Sequence, residues 1–270
     1  MGPAMDTIGF TRTAGGAADT VFTAATMSPG DTSTIRNFNP QSLAFLTNVL
    51  LAFTTPGAQV RVRSPLFHDN VQGIRVIPGE SPIRFSLPKE AAQMLRPQDT
   101  LTIEQIVNLA AEKNTGALSV FYQDLPGGAA RLHMLGDVLG LIKNIKPLLV
   151  AAPENATVGT WADVVLTTTE DLLKANTDYA VLGYTTDRAE VAIGIKGPDT
   201  ANLRVCGPGD VRTVEVQRYF ADQSDLHGLP MIPVINSANK GATFVSVLSQ
   251  ATGGTPNVQL ILAELARNLN

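Results

Sequence analysis

A single cysteine, Cys206, stands in 270 residues, so no disulfide can form within the chain and cysteine usage leaves the redox compartment open. Charge is scarce as well: Asp, Glu, Lys and Arg make up 16% of the chain, against about a quarter in an average soluble protein. The formal net charge of −4 leaves no basic field to draw in phosphate backbones, and direct binding of nucleic acid is not expected. Aromatic residues are only 6%, with Trp161 the one tryptophan, which leaves little material for a sugar-stacking platform. No run approaches the ~18 apolar residues of a membrane span. The most apolar stretch, "HMLGDVLGLIKNIKPLLVAA", is broken by Asp137, Lys143 and Lys146. The N-terminus lacks the positive start and apolar core of a secretory signal, so the reading is of a soluble protein, and membrane contact is not indicated.

Residue constellations that name a reaction are also missing. His68, His133 and His227 stand apart, with no HxH, HExxH or cysteine partner beside them, so no metal site follows from spacing. Asp199 and Asp210 follow Gly-Pro and Pro-Gly steps, where an aspartate bonding its own turn is the expected role and a calcium loop the less expected one. "GGAARLHMLGDVLG" has neither GxGxxG nor GxxxxGK[ST] spacing. No GxSxG elbow exists, and Cys206 has no local histidine. No catalytic, cofactor-binding or metal-binding residue is therefore assigned, and the chain is not expected to be an enzyme.

What is present is β-sheet texture. From Thr20 onward, short runs of β-branched and apolar residues alternate with Pro-Gly and Gly-Asp breaks roughly every ten residues. "AQVRVRSP", "GIRVIPG" and "ALSVFYQDL" are examples from the first half, and "DYAVLGYTT", "AEVAIGIKGP" and "VQLILAEL" from the second. Short helices are expected from Pro88 and from Thr168. A longer linking helix is expected between Ala129 and Val150, because Leu132, Leu135, Leu139 and Ile142 recur three or four apart. Residues 1 to about 18, rich in Gly, Ala and Thr, show no periodicity and read as a flexible arm whose removal leaves the rest folded.

The chain also says nearly the same thing twice. "AFTTPGAQVRVRSP" from Ala52 is echoed by "GYTTDRAEVAIGIKGP" from Gly183, and "GIRVIPG" by "NLRVCGPG", which sets Arg75 and Arg204 129 positions apart. The apolar closing strands "ALSVFYQDL" and "VQLILAEL" each end in an acid and a leucine. Ordered similarity of this kind argues for internal duplication. The expected fold is mainly β: two tandem jelly-roll-like antiparallel β-sandwiches with a few short helices. The expected segments are the arm over 1–18, a first sandwich over 19–127, a helical connection over 128–155 and a second sandwich over 156–270.

With those paired motifs, the arm and the low charge, the chain resembles the small double jelly-roll capsid proteins of icosahedral viruses of bacteria. The resemblance is architectural and covers about residues 18–270. It implies a virion structural protein, assembled in the host cytoplasm as a homotrimer whose six sandwiches form one tile, with itself and other virion proteins as partners. One departure is the arm, whose only basic residue is Arg12, so a basic patch to meet an underlying membrane is lacking. The alternatives are a decoration or spike protein, a carbohydrate-binding β-sandwich module that would need an aromatic groove, and a β-sandwich enzyme with residues converging from afar.

Overall fold

Antiparallel pairing of strands distant in sequence dominates the molecule. A computed structural model describes all residues except Met1, 37–42, 53–56, 67–70, 78–82, 87–92, 126–129, 152–156, 167–172, 210–213, 251–254 and Asn270. The first half contains β1 (Gly2–Thr13), β2 (Thr23–Ala24), β3 (Thr26–Met27), β4 (Ala44–Leu51), β5 (Gln59–Arg63), β6 (Ile74–Val76), β7 (Ile83–Ser86), β8 (Gln93–Leu95), β9 (Thr102–Ile106) and β10 (Lys113–Leu125). The second half contains β11 (Leu132–His133), α1 (Leu135–Leu139), β12 (Ile142–Ala151), β13 (Trp161–Val165), β14 (Asp178–Thr186), β15 (Glu190–Lys196) and β16 (Val205–Gly209). It closes with α2 (Tyr219–His227), β17 (Ile232–Asn236), β18 (Phe244–Leu248) and β19 (Asn257–Leu265).

Each half folds into two facing sheets. In the first, a six-stranded sheet runs β3-β1-β10-β4-β7, with β8 also on β4, opposite a four-stranded sheet β2-β9-β5-β6. In the second, a five-stranded sheet runs β11-β17-β14-β19-β12, opposite a four-stranded sheet β13-β18-β15-β16. Leaving aside the short β3 and β11, and taking β7 and β8 as one broken strand, the two halves share one strand order. Each large sheet joins the first, last, third and sixth strands, and each small sheet joins the second, seventh, fourth and fifth. This is the jelly-roll arrangement, in which two sheets hide their inner faces on each other.

The local chemistry follows the layers. In β5, Val60 and Val62 point into the first sandwich while Gln59, Arg61 and Arg63 lie on its outer surface, the period of a strand with one covered face. Within the second sandwich, Phe220 meets Tyr184 and Tyr219 edge-on, its ring centroid 5.2 Å from that of Tyr219, and all three rings are buried.

Three expectations are corrected here. The supposed arm is β1, which pairs with β10 from Gly2 to Thr13. From Ala4 to Phe10 every residue is buried, because both faces of the strand are covered. A strand buried on both sides needs no polar–apolar alternation, which is why the segment looks patternless. The linking helix between Ala129 and Val150 is also not formed: only Leu135–Leu139 is helical, and Ile142–Ala151 is a strand of the second sandwich. Gly140 ends the helix, and Pro147 then sits in an edge strand, where a missing N–H is tolerated. The described sandwiches thus begin at Gly2 and Leu132 rather than at 19 and 156. Third, "RTVEVQRYF" reads as a strand, but of its described residues Val214–Arg218 form a 3-10 turn leading into α2. The helix expected from Pro88 lies largely outside the described residues, and Gln93–Leu95 at its end is strand. The helix expected from Thr168 falls mostly outside them.

Candidate functional site

The most elaborate constellation in the molecule is the joint between the two sandwiches. It forms where the outer face of the first large sheet, carried by β1, β10 and β4, meets the outer face of the second small sheet, carried by β15 and β16. Small side chains let the two faces approach. Leu50, Ala52 and Ala117 pack with Val191, Ala192, Cys206 and Leu248 in a buried cluster edged by Trp161. Gly9 is required at the centre, since a Cβ there would lie 2.5 Å from Ser28 Oγ and 3.0 Å from a Leu248 methyl.

Polar groups lock this dry contact in register. The Thr7 backbone N–H donates to the Arg204 carbonyl at 2.8 Å. The Thr7 hydroxyl accepts from the Cys206 N–H at 3.2 Å. Ser28 Oγ donates to the Gly159 carbonyl at 2.8 Å, and Asn48 Nδ2 donates to Gln223 Oε1 on α2 at 2.9 Å. Lys113 also donates to the Val158 carbonyl.

Asp31 is the focus. Its Oδ2 accepts from the Trp161 indole N–H at 2.7 Å and from the Gly9 N–H at 2.6 Å, and Arg204 lies 3.5 Å from Oδ1. The Arg204 guanidinium in turn stacks 4.7 Å from the centre of the Trp161 ring and reaches Asp163 at 3.2 Å. A desolvated cation–π contact is worth up to about 2 kcal/mol, and a hydrogen bond to a charged group about 1.5–3 kcal/mol. Burial raises the Asp31 carboxyl above its usual range, against the opposing pull of Trp161, Gly9 and Arg204. Burial likewise raises Asp6, which faces Arg36 and the backbone of Arg204, and it pushes the Cys206 thiol far up.

The remaining sequence candidates do not converge. Trp161, considered as a sugar platform, is engaged in the joint. Asp199 accepts from the Asn236 N–H at 3.0 Å and from Asn239 Nδ2, and lies 3.6 Å from Arg131, so its oxygens knit a loop. His133 is half-buried on β11, its pKa lowered by burial and by Arg131, and His227 is buried at the end of α2. His68 and Asp210 lie outside the described residues. Among the described residues no group of three or more His, Cys, Asp or Glu is placed to hold a metal, and no helix is long and apolar enough to cross a membrane. Sequence reading missed Asp31, which looked like an ordinary turn residue, and Thr7 and Gly9, which looked like part of an arm. Only the Arg75/Arg204 pairing pointed toward the joint.

That pairing has a structural counterpart. Arg75 lies on the outer face of the first small sheet with its guanidinium 5.0 Å from the ring of Phe22, as Arg204 lies over Trp161 on the second. Arg61 sits over the same Phe22 ring at 4.3 Å, and Glu104 bridges Arg61 and Arg63 at 2.7 and 2.8 Å. Burial opposes the Glu104 charge, but the two arginines hold its carboxyl below the usual range.

No protein-family model matches the chain, and no curated protein matches it. Five chains of solved structures match. One of them, titled "Crystal Structure of the STIV MCP", shares 8% identity over 97% of each chain with a TM-score of 0.25. The jelly-roll description rests on the strand order of the chain itself.

Proposed function

We propose that this chain is a structural protein of a virion, a self-assembling capsid building block that acts as a homotrimer. The observation that carries the reading is the joint: two sandwiches of one strand order meet through unlike faces, a large sheet against a small one. Such head-to-tail contact leaves a small sheet open at one end and a large sheet open at the other. Repeated with a closing rotation it makes a ring, and without closure an open filament. Three chains would supply six sandwiches to one ring, which suits a shell tile. Internal duplication accounts for the shared strand order, with each half then adapting to its own neighbours.

The low surface charge and closed sheets fit a protein that spends its life packed against copies of itself and other virion proteins. Among the described residues no set argues for catalysis, cofactor binding or nucleic-acid recognition. Trp161, the best aromatic for a carbohydrate-binding module, is committed to Asp31 and Arg204, which disfavours that reading. Assembly in the host cytoplasm and residence in the virion follow from the same proposal.

Light scattering of the purified protein, with negative-stain imaging of the same sample, tests the reading. A mass of three 28.6 kDa chains with a six-lobed outline, or closed shells, supports it. A strict monomer at high concentration would argue against self-assembly and move the assignment toward a decoration component.

A further inference from the structure

Resting on that reading, we infer that the contact between copies is made by the outer stripe of β12 on one chain and the Phe22–Arg61–Arg75 face of the next. Each large sheet carries a one-residue bulge in its third strand. Thr47 is skipped between the pairs Asn48↔Ser119 and Leu46↔Val120, and Leu182 between Val181↔Leu262 and Gly183↔Ile261. Superposing the sheets on these bulges sets β12 over β1, with Ile145, Pro147 and Leu149 where Met5, Thr7 and Gly9 stand. The β1 trio is buried, and Thr7 and Gly9 meet the second sandwich.

The β12 trio faces outward. Ile145 is 45% and Leu149 59% exposed, and Pro147 is exposed between them. The inner residues Leu148 and Val150 are buried, so the strand is apolar on both faces although only one face is covered by the described residues. Water does not call for that pattern in an antiparallel edge strand.

The complementary face is as specific. Arg75 stacks on Phe22 on this face as Arg204 stacks on Trp161 on the second small sheet, where the pair binds the first sandwich within the chain. Val21, 66% exposed, adjoins Phe22, and Val71, 72% exposed, accepts from Arg61 through its carbonyl. The occupant is therefore a second copy of this chain, docked through the unlike-face contact already seen inside it. A partner of other chemistry would have no reason to match a stripe that repeats β1.

The test is cross-linking between two single-cysteine additions, Arg75→Cys on a tagged chain and Leu149→Cys on an untagged one, with a short bis-maleimide. The native Cys206 is buried and out of reach. Mixing the two variants should give a cross-linked heterodimer, while either variant alone gives none. Leu149→Asp, a change at an exposed site that leaves the circular dichroism intact, should weaken association at least about tenfold. If the protein forms trimers but the mixed pair does not cross-link and Leu149→Asp associates normally, this contact is wrong and the assembly reading stands. Cross-links in a single-variant sample would overturn the unlike-face geometry. A monomer under all conditions would overturn both proposals.

Discussion

Deleting residues 1–17 separates a free arm from a core strand. In the structure this cut removes β1, the strand between the short β3 and the central β10 of the first large sheet, together with the buried side chains of Met5, Ile8 and Phe10. At about 1.5–3 kcal/mol for each large apolar side chain taken from water, the loss from these three is about 5–9 kcal/mol. A folded domain has only about 5–15 kcal/mol in hand. The deletion also uncovers the edge of β10, which pairs with β1 from Lys113 to Leu125, and removes Thr7 and Gly9 from the joint. The truncated chain should therefore lose the cooperative urea transition of the first sandwich, and the emission of Trp161 should shift to the red as Asp31 leaves it. Phe10→Ala is the milder form, expected to cost about 3–5 kcal/mol and to lower the urea midpoint without abolishing folding. Full-length far-ultraviolet dichroism and an unchanged urea midpoint in the truncated protein would refute the reasoning and restore the arm.

Three further outcomes follow from the joint and its surroundings. Burial opposes the charge of Asp178, but hydrogen bonds from Arg131, the Leu269 N–H and Asn236 outweigh it and hold the carboxyl below its usual range. Its stabilisation is therefore complete above the unfolded value near ~4 and is lost as pH falls through the lower folded value. A urea midpoint that drops on acidification in the native chain and is flatter in Asp178→Asn would show this, and identical pH profiles would refute it. Cys206, buried in the joint with its thiol pushed up, should react with an aromatic disulfide reagent only after denaturation, so stoichiometric labelling of the folded protein would place it elsewhere. Gly9→Ala should overpack the joint against Ser28 and Leu248, costing about 1–3 kcal/mol in urea unfolding, and a stability equal to that of the native chain would mean that the faces stand farther apart.

The parts of the fold that could be read in advance were those where a strand has one covered face. Val60 and Val62 between Gln59, Arg61 and Arg63 declare a strand by alternation, and most of the second-half strands were visible in the same way. The misreadings share a physical cause. β1 is buried on both faces, so Thr7 and Gly9 serve close approach rather than amphipathic periodicity, and a compositional reading mistakes the segment for linker. The stretch from Leu132 to Ile142 has helical spacing by coincidence of a short strand, a single helical turn and the start of β12. The second half of the expected helix, with Pro147 and with Leu148 and Val150 buried between exposed neighbours, carries a period of two. The joint was almost illegible because its partners, Asp31 with Trp161 and Thr7 with Cys206, lie 130 and 199 positions apart. Only the recurrence of Arg75 and Arg204 in matching motifs gave a local clue.

The two halves use one strand order for different chemical ends. The small sheet of the second sandwich meets its neighbour with Ala192, Cys206 and Leu248 around a single stacked arginine, small enough for the backbones to close up. The small sheet of the first sandwich keeps the stacked arginine but surrounds it with Arg61, Arg63 and Glu104, groups that stay partly hydrated. A contact within one chain forms at the high effective concentration set by covalent linkage and can be dry and tightly packed. The proposed contact between chains would have to form from solution, and a charged, aromatic-centred face would give it an anchor of the kind that dominates interfaces. Divergence of this kind is what the proposal requires, with one joint fixed by the chain and another left to assembly.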